Sequence, residues 1–197
     1  LRLLEQAIEI KQRIGDQRGE SIALSGIGII WNYLGQYQQA EENLLKVLQI
    51  RRAIGERRGE INALSNLTTS ALGQGELGLA LDYAQRAVAV AEEIQIPQSR
   101  AYGYQSLGDV LYAHLHYQEA VQYYQQAVEL FETTNDLEEC LSTRSKMALA
   151  FLALGQLDAA QAEVEVVFGQ IEKGLETPES SSPVPMVVYQ AGYQVLT

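Results

Sequence analysis

The stretch "AIGERRGEINALSNL", residues 53–67, decides the fold, because "RIGDQRGESIALSGI", residues 13–27, says nearly the same thing forty positions earlier. The interval recurs along the chain. Alanines stand at Ala40, Ala80, Ala120 and Ala160. Thirteen residues before them come Ile27, Leu67, Leu107 and Met147, each followed by a small residue: Gly28, Thr68, Gly108 and Ala148. Repetition at one fixed period marks an array of stacked units rather than a single closed core. Between the turn-like segments, apolar residues recur at threes and fours: Leu24, Ile27, Trp31 and Leu34, then Ala40, Leu44, Val47, Leu48 and Ile54. This is the spacing of one helix face, so each period predicts two antiparallel helices of about sixteen to eighteen residues.

The repeated phrase reads as punctuation. Gly15 and Gly55 follow the last apolar residue of a helix, where a left-handed residue commonly ends it. Asp16 and Glu56 then stand at the next helix start. The Asp16 side chain can accept from unpaired N–H groups, and both acids suit the helix dipole there. Gly19 and Gly59 fall in the first turn, where they let the preceding helix pass closely. Later cycles, "EIQIPQSR" (93–100) and "ETTNDLEE" (132–139), use Pro97, or Asn135 and Asp136, at that place. Gly28 or Gly108 on one helix, with Ala40 or Ala120 on the next, predicts an approach to ~8–9 Å at the crossing.

These residues resemble the tetratricopeptide repeat (TPR) family. The match is fullest at Leu107, Gly108, Tyr117, Ala120, Tyr124 and Ala127, and at Leu24, Gly28, Trp31, Gly35, Tyr37 and Ala40; it departs at Thr68, Ala71 and Arg144. A forty-residue unit is similar to the long-unit subclass found in Pins-type polarity adaptors, kinesin light chains and the sensor regions of bacterial STAND-type, MalT-like regulators. The resemblance implies an all-α fold, a right-handed solenoid of antiparallel helix pairs. On it, residues 1–176 form the array: a half unit at 1–16 and full units at about 17–56, 57–96, 97–136 and 137–176. Residues 177–185 read as a Ser/Pro-rich linker, and 186–197 as the start of a further helix. Both ends are expected to continue into a larger protein, since neither shows a polar capping helix.

Of the 197 residues, 47% are hydrophobic and the net charge is −11. Residues 101–140 hold seven acids and no Lys or Arg. Such a chain is poorly suited to nucleic acid, which is held by Lys and Arg against phosphates. No apolar run approaches the roughly 18–20 residues of a membrane span. The lone Cys140 has no intrachain disulfide partner, which predicts a cytoplasmic setting.

Chemistry is sparse. His114 and His116, with Glu119 nearby, lack the further ligands of a metal site. Cys140 sits in the acidic "DLEEC", which works against a thiolate. Neither a Gly-x-Ser-x-Gly elbow nor a phosphate loop occurs. No catalytic residue, metal or cofactor is expected. Arg51, Arg52, Arg57 and Arg58, with Arg13 and Arg18 one period earlier, are the one basic concentration. They serve either as charge complements near helix ends or as contacts for an acidic partner.

In the family, the first helix of each pair lines the inner wall, where protein or peptide ligands bind. The resemblance places that wall at Ile22, Ser25, Ile29, Asn32 and Tyr33; at Asn62, Ser65, Asn66, Thr69 and Leu72; at Tyr102, Gln105, Asp109 and Tyr112; and at Ser142, Ser145, Leu149 and Leu152. Asn66 falls where long-unit adaptors use an amide to grip peptide backbone. Ser25, Ser65, Ile29 and Thr69 replace the Lys and Asn of carboxylate-clamp members, so chaperone C-termini are not expected partners. Tyr33, Tyr102 and Tyr112 are candidate anchors. The expected function is a noncatalytic binding scaffold, the sensor or interaction region of a bacterial regulator. The alternative is a segment of a STAND-type ATPase or TPR-linked protease that binds its own catalytic domain.

Overall fold

The computed structural model describes residues 1–175, 191 and 193–195, with side chains up to residue 172 in the first span. Helices α1 (Arg2–Arg13), α2 (Gln17–Tyr33), α3 (Tyr37–Ala53), α4 (Arg57–Gln74), α5 (Leu77–Ile94), α6 (Pro97–Ala113), α7 (Tyr117–Thr133), α8 (Leu137–Ala153) and α9 (Leu157–Leu175) follow one another, with no strand among the described residues. Ala191 and residues 193–195 are also helical; the expected linker at 177–185 lies outside the described residues.

From α2 to α9 the helices begin at residues 17, 37, 57, 77, 97, 117, 137 and 157. Each forty-residue period is thus two helices of nearly equal length joined by the same short turn. The turn has one geometry. Backbone φ is positive at Gly15, Gly35, Gly55, Gly75 and Gly155, and at Gln95, Leu115 and Asn135. The residue after the left-handed one reaches back five positions: the N–H of Asp16 donates to the Lys11 carbonyl at 2.9 Å, and that of Glu56 to the Arg51 carbonyl at 2.8 Å. This is the Schellman closure of a helix. At the first and third turns that same residue also caps the next helix with its side chain. Asp16 accepts from the Gly19 N–H at 2.8 Å, and Glu56 from Gly59 at 3.1 Å. Pro97 opens α6 at its first turn, where its missing N–H costs nothing.

The chain forms two compact units, residues 1–106 and 107–197. In the first, α1 packs on α2, and α2 to α5 pack each on the next. Leu44, Ile61, Leu64, Leu67, Ala80 and Ala84 are fully buried there. Gly28 earns its place in this packing: a Cβ on it would sit 2.7 Å from Leu44 Cγ. In the second unit α7 packs on α8 and α8 on α9, around Val110, Ala120, Ala127, Phe131 and Ala148. Gly108 repeats the role of Gly28, since a Cβ there would meet the Tyr124 ring at 2.6 Å. The expected helix pairs with small residues at their crossings are therefore present in each unit.

Candidate functional site

The repeated phrase is occupied with the fold. Gly19 and Gly59 lie against the side chains of Lys11 and Arg51, which a Cβ would strike. Lys11 bonds Asp16 at 2.7 Å, and Arg51 pairs with Glu56. Eight residues apart, a second pair spans the same turn: Gln12 to Glu20 at 2.7 Å, and Arg52 to Glu60 at 2.6 Å. Glu60 is 2% exposed and also accepts from Arg57 at 2.8 Å; Arg57 reaches Glu93 as well. So Arg51, Arg52 and Arg57 are spent on intramolecular pairs, while Arg13, Arg18 and Arg58 are exposed. The Asp16 carboxyl is held below its ordinary pKa, first by the Lys11 hydrogen bond and then by that of Gly19.

The seam continues with its charges exchanged. Glu92 and Arg100 occupy the two positions one period on, 3.4 Å apart, and the Tyr104 hydroxyl joins Glu92. The next period has Glu132 and Cys140. The short thiol side chain cannot span the gap, and Arg144 enters from one turn further on, bonding Glu132 at 2.5 Å and Glu163 at 2.7 Å. Burial pushes the Arg144 guanidinium down, but its two carboxylates outweigh that and hold it above its ordinary value. A cavity of about 420 Å³ opens here, lined among others by Phe131, Cys140, Leu141, Arg144 and Val166. Burial, only partly offset by the neighbouring Arg144, raises the Cys140 thiol pKa, which works against a thiolate there. No cluster of three His, Cys, Asp or Glu that could hold a metal occurs among the described residues. The His116 ring lies 3.8 Å from Glu119 at the turn before α7.

The predicted inner-wall residues divide into three groups. Ile22 and Tyr33 are exposed, at 56% and 88%, as are Asn62 and Thr69. Ser25, Ile29, Tyr102, Tyr112, Ser142 and Leu149 are half-buried, with Leu72 and Leu152. The rest serve the stack. Asn32 donates to the Asn66 carbonyl at 3.1 Å and accepts from the Ser70 hydroxyl at 2.9 Å, stitching α2 to α4. Asn66 donates into its own helix, to the Asn62 carbonyl at 2.9 Å. Ser145 is buried and donates to the Leu141 carbonyl; Gln105 is buried, and the Ser65 hydroxyl is enclosed without a partner. Polar groups of these side chains are thus engaged within the stack or enclosed by it.

Asp109 plays in the second unit the part that Asn32 plays in the first. It accepts from the Tyr124 hydroxyl at 2.8 Å and from Lys146 Nζ at 2.7 Å, tying α6 to α7 and α8. Tyr124 is 2% exposed, and burial, then Asp109, raises its pKa well above the ordinary phenol value. Tyr112 stands edge-on to Tyr117, with centroids 5.2 Å apart. Lys146 escaped the sequence reading, and Tyr124 entered it only as a repeat-motif residue, without its bond to Asp109. Lys146 sits two periods after Asn66, and that register was the available signal.

These geometries can be set beside known proteins. None of the curated proteins matches the sequence. Among solved structures, the putative kinesin light chain TPR-like repeats of Podosopora anserina align at 21% identity over 88% of this chain and 83% of that one, with a TM-score of 0.65. A STAND protein with a tetratricopeptide repeat sensor from Pyrococcus horikoshii aligns at 19% identity, covering 98% of this chain and 29% of that one, TM-score 0.72. A Rap protein complexed with competence and sporulation factor aligns at 16% identity over 76% and 42%, TM-score 0.71. At these identities the likeness concerns the fold, an α-solenoid of paired helices. The family assignment rests on sequence: the tetratricopeptide repeat model matches residues 20–93 and 59–133, more than half of the chain. Forty-residue periodicity, glycine-spaced crossings and that match lead to one conclusion: this chain belongs to the tetratricopeptide repeat family.

Proposed function

We propose that this chain is a noncatalytic array that binds a protein or peptide on the inner faces of α2, α4, α6 and α8, as the sensor or interaction region of a larger bacterial regulator. The observation that carries the reading is one of charge. The protein has a net charge of −11, yet the predicted wall positions in the first unit carry none. In the second unit Asp109 and Lys146 cancel each other at 2.7 Å. Ile22 and Tyr33 add exposed apolar surface that the packing of α2 does not use. The wall positions left exposed or half-buried, among them Ser25, Asn62, Thr69, Tyr102, Tyr112 and Ser142, are uncharged, and their amide, hydroxyl and ring groups suit an extended chain, whose backbone both donates and accepts. The likeness to a Rap protein solved with competence and sporulation factor supports a bound regulator.

The alternative is an autoregulatory segment that binds the catalytic domain of its own STAND-type ATPase or TPR-linked protease. It draws on the STAND sensor, whose fold covers 98% of this chain.

The test is selection of binders from a random peptide display library, followed by titration against Tyr102→Ala/Tyr112→Ala. The double variant is expected to weaken binding about tenfold or more, as loss of aromatic anchors does. Binding that survives this change, and is lost instead on substituting exposed Gln125 and Glu129 of α7, refutes the inner-wall reading.

A further inference from the structure

Within the second unit, Asp109 and Tyr112 of α6, Tyr124 of α7, and Lys146 and Leu149 of α8 line an open pocket of about 210 Å³. Its floor is the buried Tyr124; Tyr112, Leu149 and the Asp109–Lys146 pair form a half-buried mouth. The size is informative. Sites that swallow a whole small molecule run to about 300–1,000 Å³, whereas a water molecule needs only about 30 Å³. This volume fits one side chain delivered by something larger.

The polar groups decide which side chain. Both Asp109 oxygens are engaged, one by the Tyr124 hydroxyl at 2.8 Å and the other by Lys146 Nζ at 2.7 Å. A charged guest has to break one of these bonds, and an acidic guest that draws Lys146 away strands a half-buried carboxylate. An apolar guest breaks nothing. It meets two tyrosine rings, Leu149 and the methylenes of Lys146, which can cover apolar surface while the ammonium stays with Asp109.

We infer that this pocket takes one uncharged apolar side chain, of leucine or methionine size, from a peptide on the inner wall, and that Lys146 sets this preference by cancelling Asp109. The inference rests on the inner-wall reading above. It carries a specificity consequence. Without Lys146, Asp109 faces the pocket unpaired, and a Lys or Arg side chain becomes the preferred guest.

Peptides selected from the display library serve as probes, labelled for fluorescence anisotropy. Each is compared with forms in which single residues are replaced by Ala or Lys. Leu149→Trp fills the mouth, Lys146→Met removes the cancelling charge, and Ile22→Glu and Ser142→Glu mark the wall elsewhere; circular dichroism confirms each variant is folded. On the parent, replacing one Leu, Ile or Met by Ala is expected to weaken binding about tenfold or more, the scale of an apolar pocket. On Leu149→Trp that same replacement changes affinity less than about twofold, and on Lys146→Met the Lys form of the peptide binds more tightly than the original. If Leu149→Trp and Lys146→Met leave the anchor's effect unchanged while Ile22→Glu or Ser142→Glu abolishes binding, the pocket assignment is overturned and the wall stands. If neither glutamate variant alters binding, the wall reading falls and takes the pocket with it. Parent-selected peptides anchored by an acidic or basic residue also overturn the inference.

Discussion

Leu115 holds a left-handed conformation, φ 62°, at a turn where five equivalent positions carry glycine. A leucine there works against its own Cβ, and the side chain is 69% exposed, so little packing compensates. Leu115→Gly is expected to raise stability by about 0.5–1 kcal/mol, part of the relief being lost to a more flexible unfolded chain. Urea denaturation should show a higher midpoint at unchanged slope. Asp16 offers a titration. Its folded pKa is depressed by Lys11, so its contribution is fully present above the ordinary aspartate pKa and is lost as pH falls through the depressed value, below about pH 4. Carboxyl chemical shifts followed by NMR should place Asp16 below the ordinary value, and Lys11→Met should move it back up. Gly15 and Gly55 made their turns readable from the letters alone, because few other residues tolerate that backbone, and Gly35, Gly75 and Gly155 repeat it. Gln95 and Leu115 were not readable as left-handed, since nothing in their side chains asks for it. Only the geometry imposed by flanking helices puts them there.

At the scale of helices, the seam of pairs eight residues apart repeats in form while changing in chemistry. Gln12–Glu20 is half neutral, Arg52–Glu60 is ionic, and Glu92–Arg100 is ionic in the reverse sense. Reversal comes with a second change: Arg57, which also binds Glu60, is replaced one period on by Pro97. Arg52→Glu with Glu60→Arg therefore places the new arginine beside Arg57. This double variant is expected to lose at least about 1 kcal/mol, and addition of Arg57→Gln to restore stability to within about 1 kcal/mol of the parent. Equal stability for double and triple variants would contradict the shared role of Arg57. Ala120 is fully buried in α7, in the packed core of the second unit, so Ala120→Leu is expected to cost ~1–3 kcal/mol by thermal melt. The helix pairs and their small-residue crossings were legible because a periodic pattern averages over many residues. The stitches were not. Asn32 finds its partners 34 and 38 residues away, and Asp109 finds Lys146 at 37, so both read as free wall groups until the helices are set side by side.

For the molecule as a whole, stacking means that contacts are made between helices one or two places apart in sequence. Each helix from α1 to α5 packs on the next within residues 1–106, and so do α7 to α9 within residues 107–197. Stability in such an array is close to a sum of local terms, and damage stays near its origin. Leu44 is fully buried against Gly28, so Leu44→Ala should cost about 2–5 kcal/mol. Amide hydrogen exchange should show protection falling through residues 1–106 and much less through 107–175; a uniform loss would mean one indivisible core. The helix starts at every twentieth residue have a further meaning for how such a chain can lengthen or shorten. Twenty residues added or removed would preserve every turn yet exchange the first helix of each pair for the second, so the faces proposed above for a guest would change sides. Only a step of forty returns each face to its own side, so on the proposed reading the surface offered to a guest grows by whole hairpins or not at all.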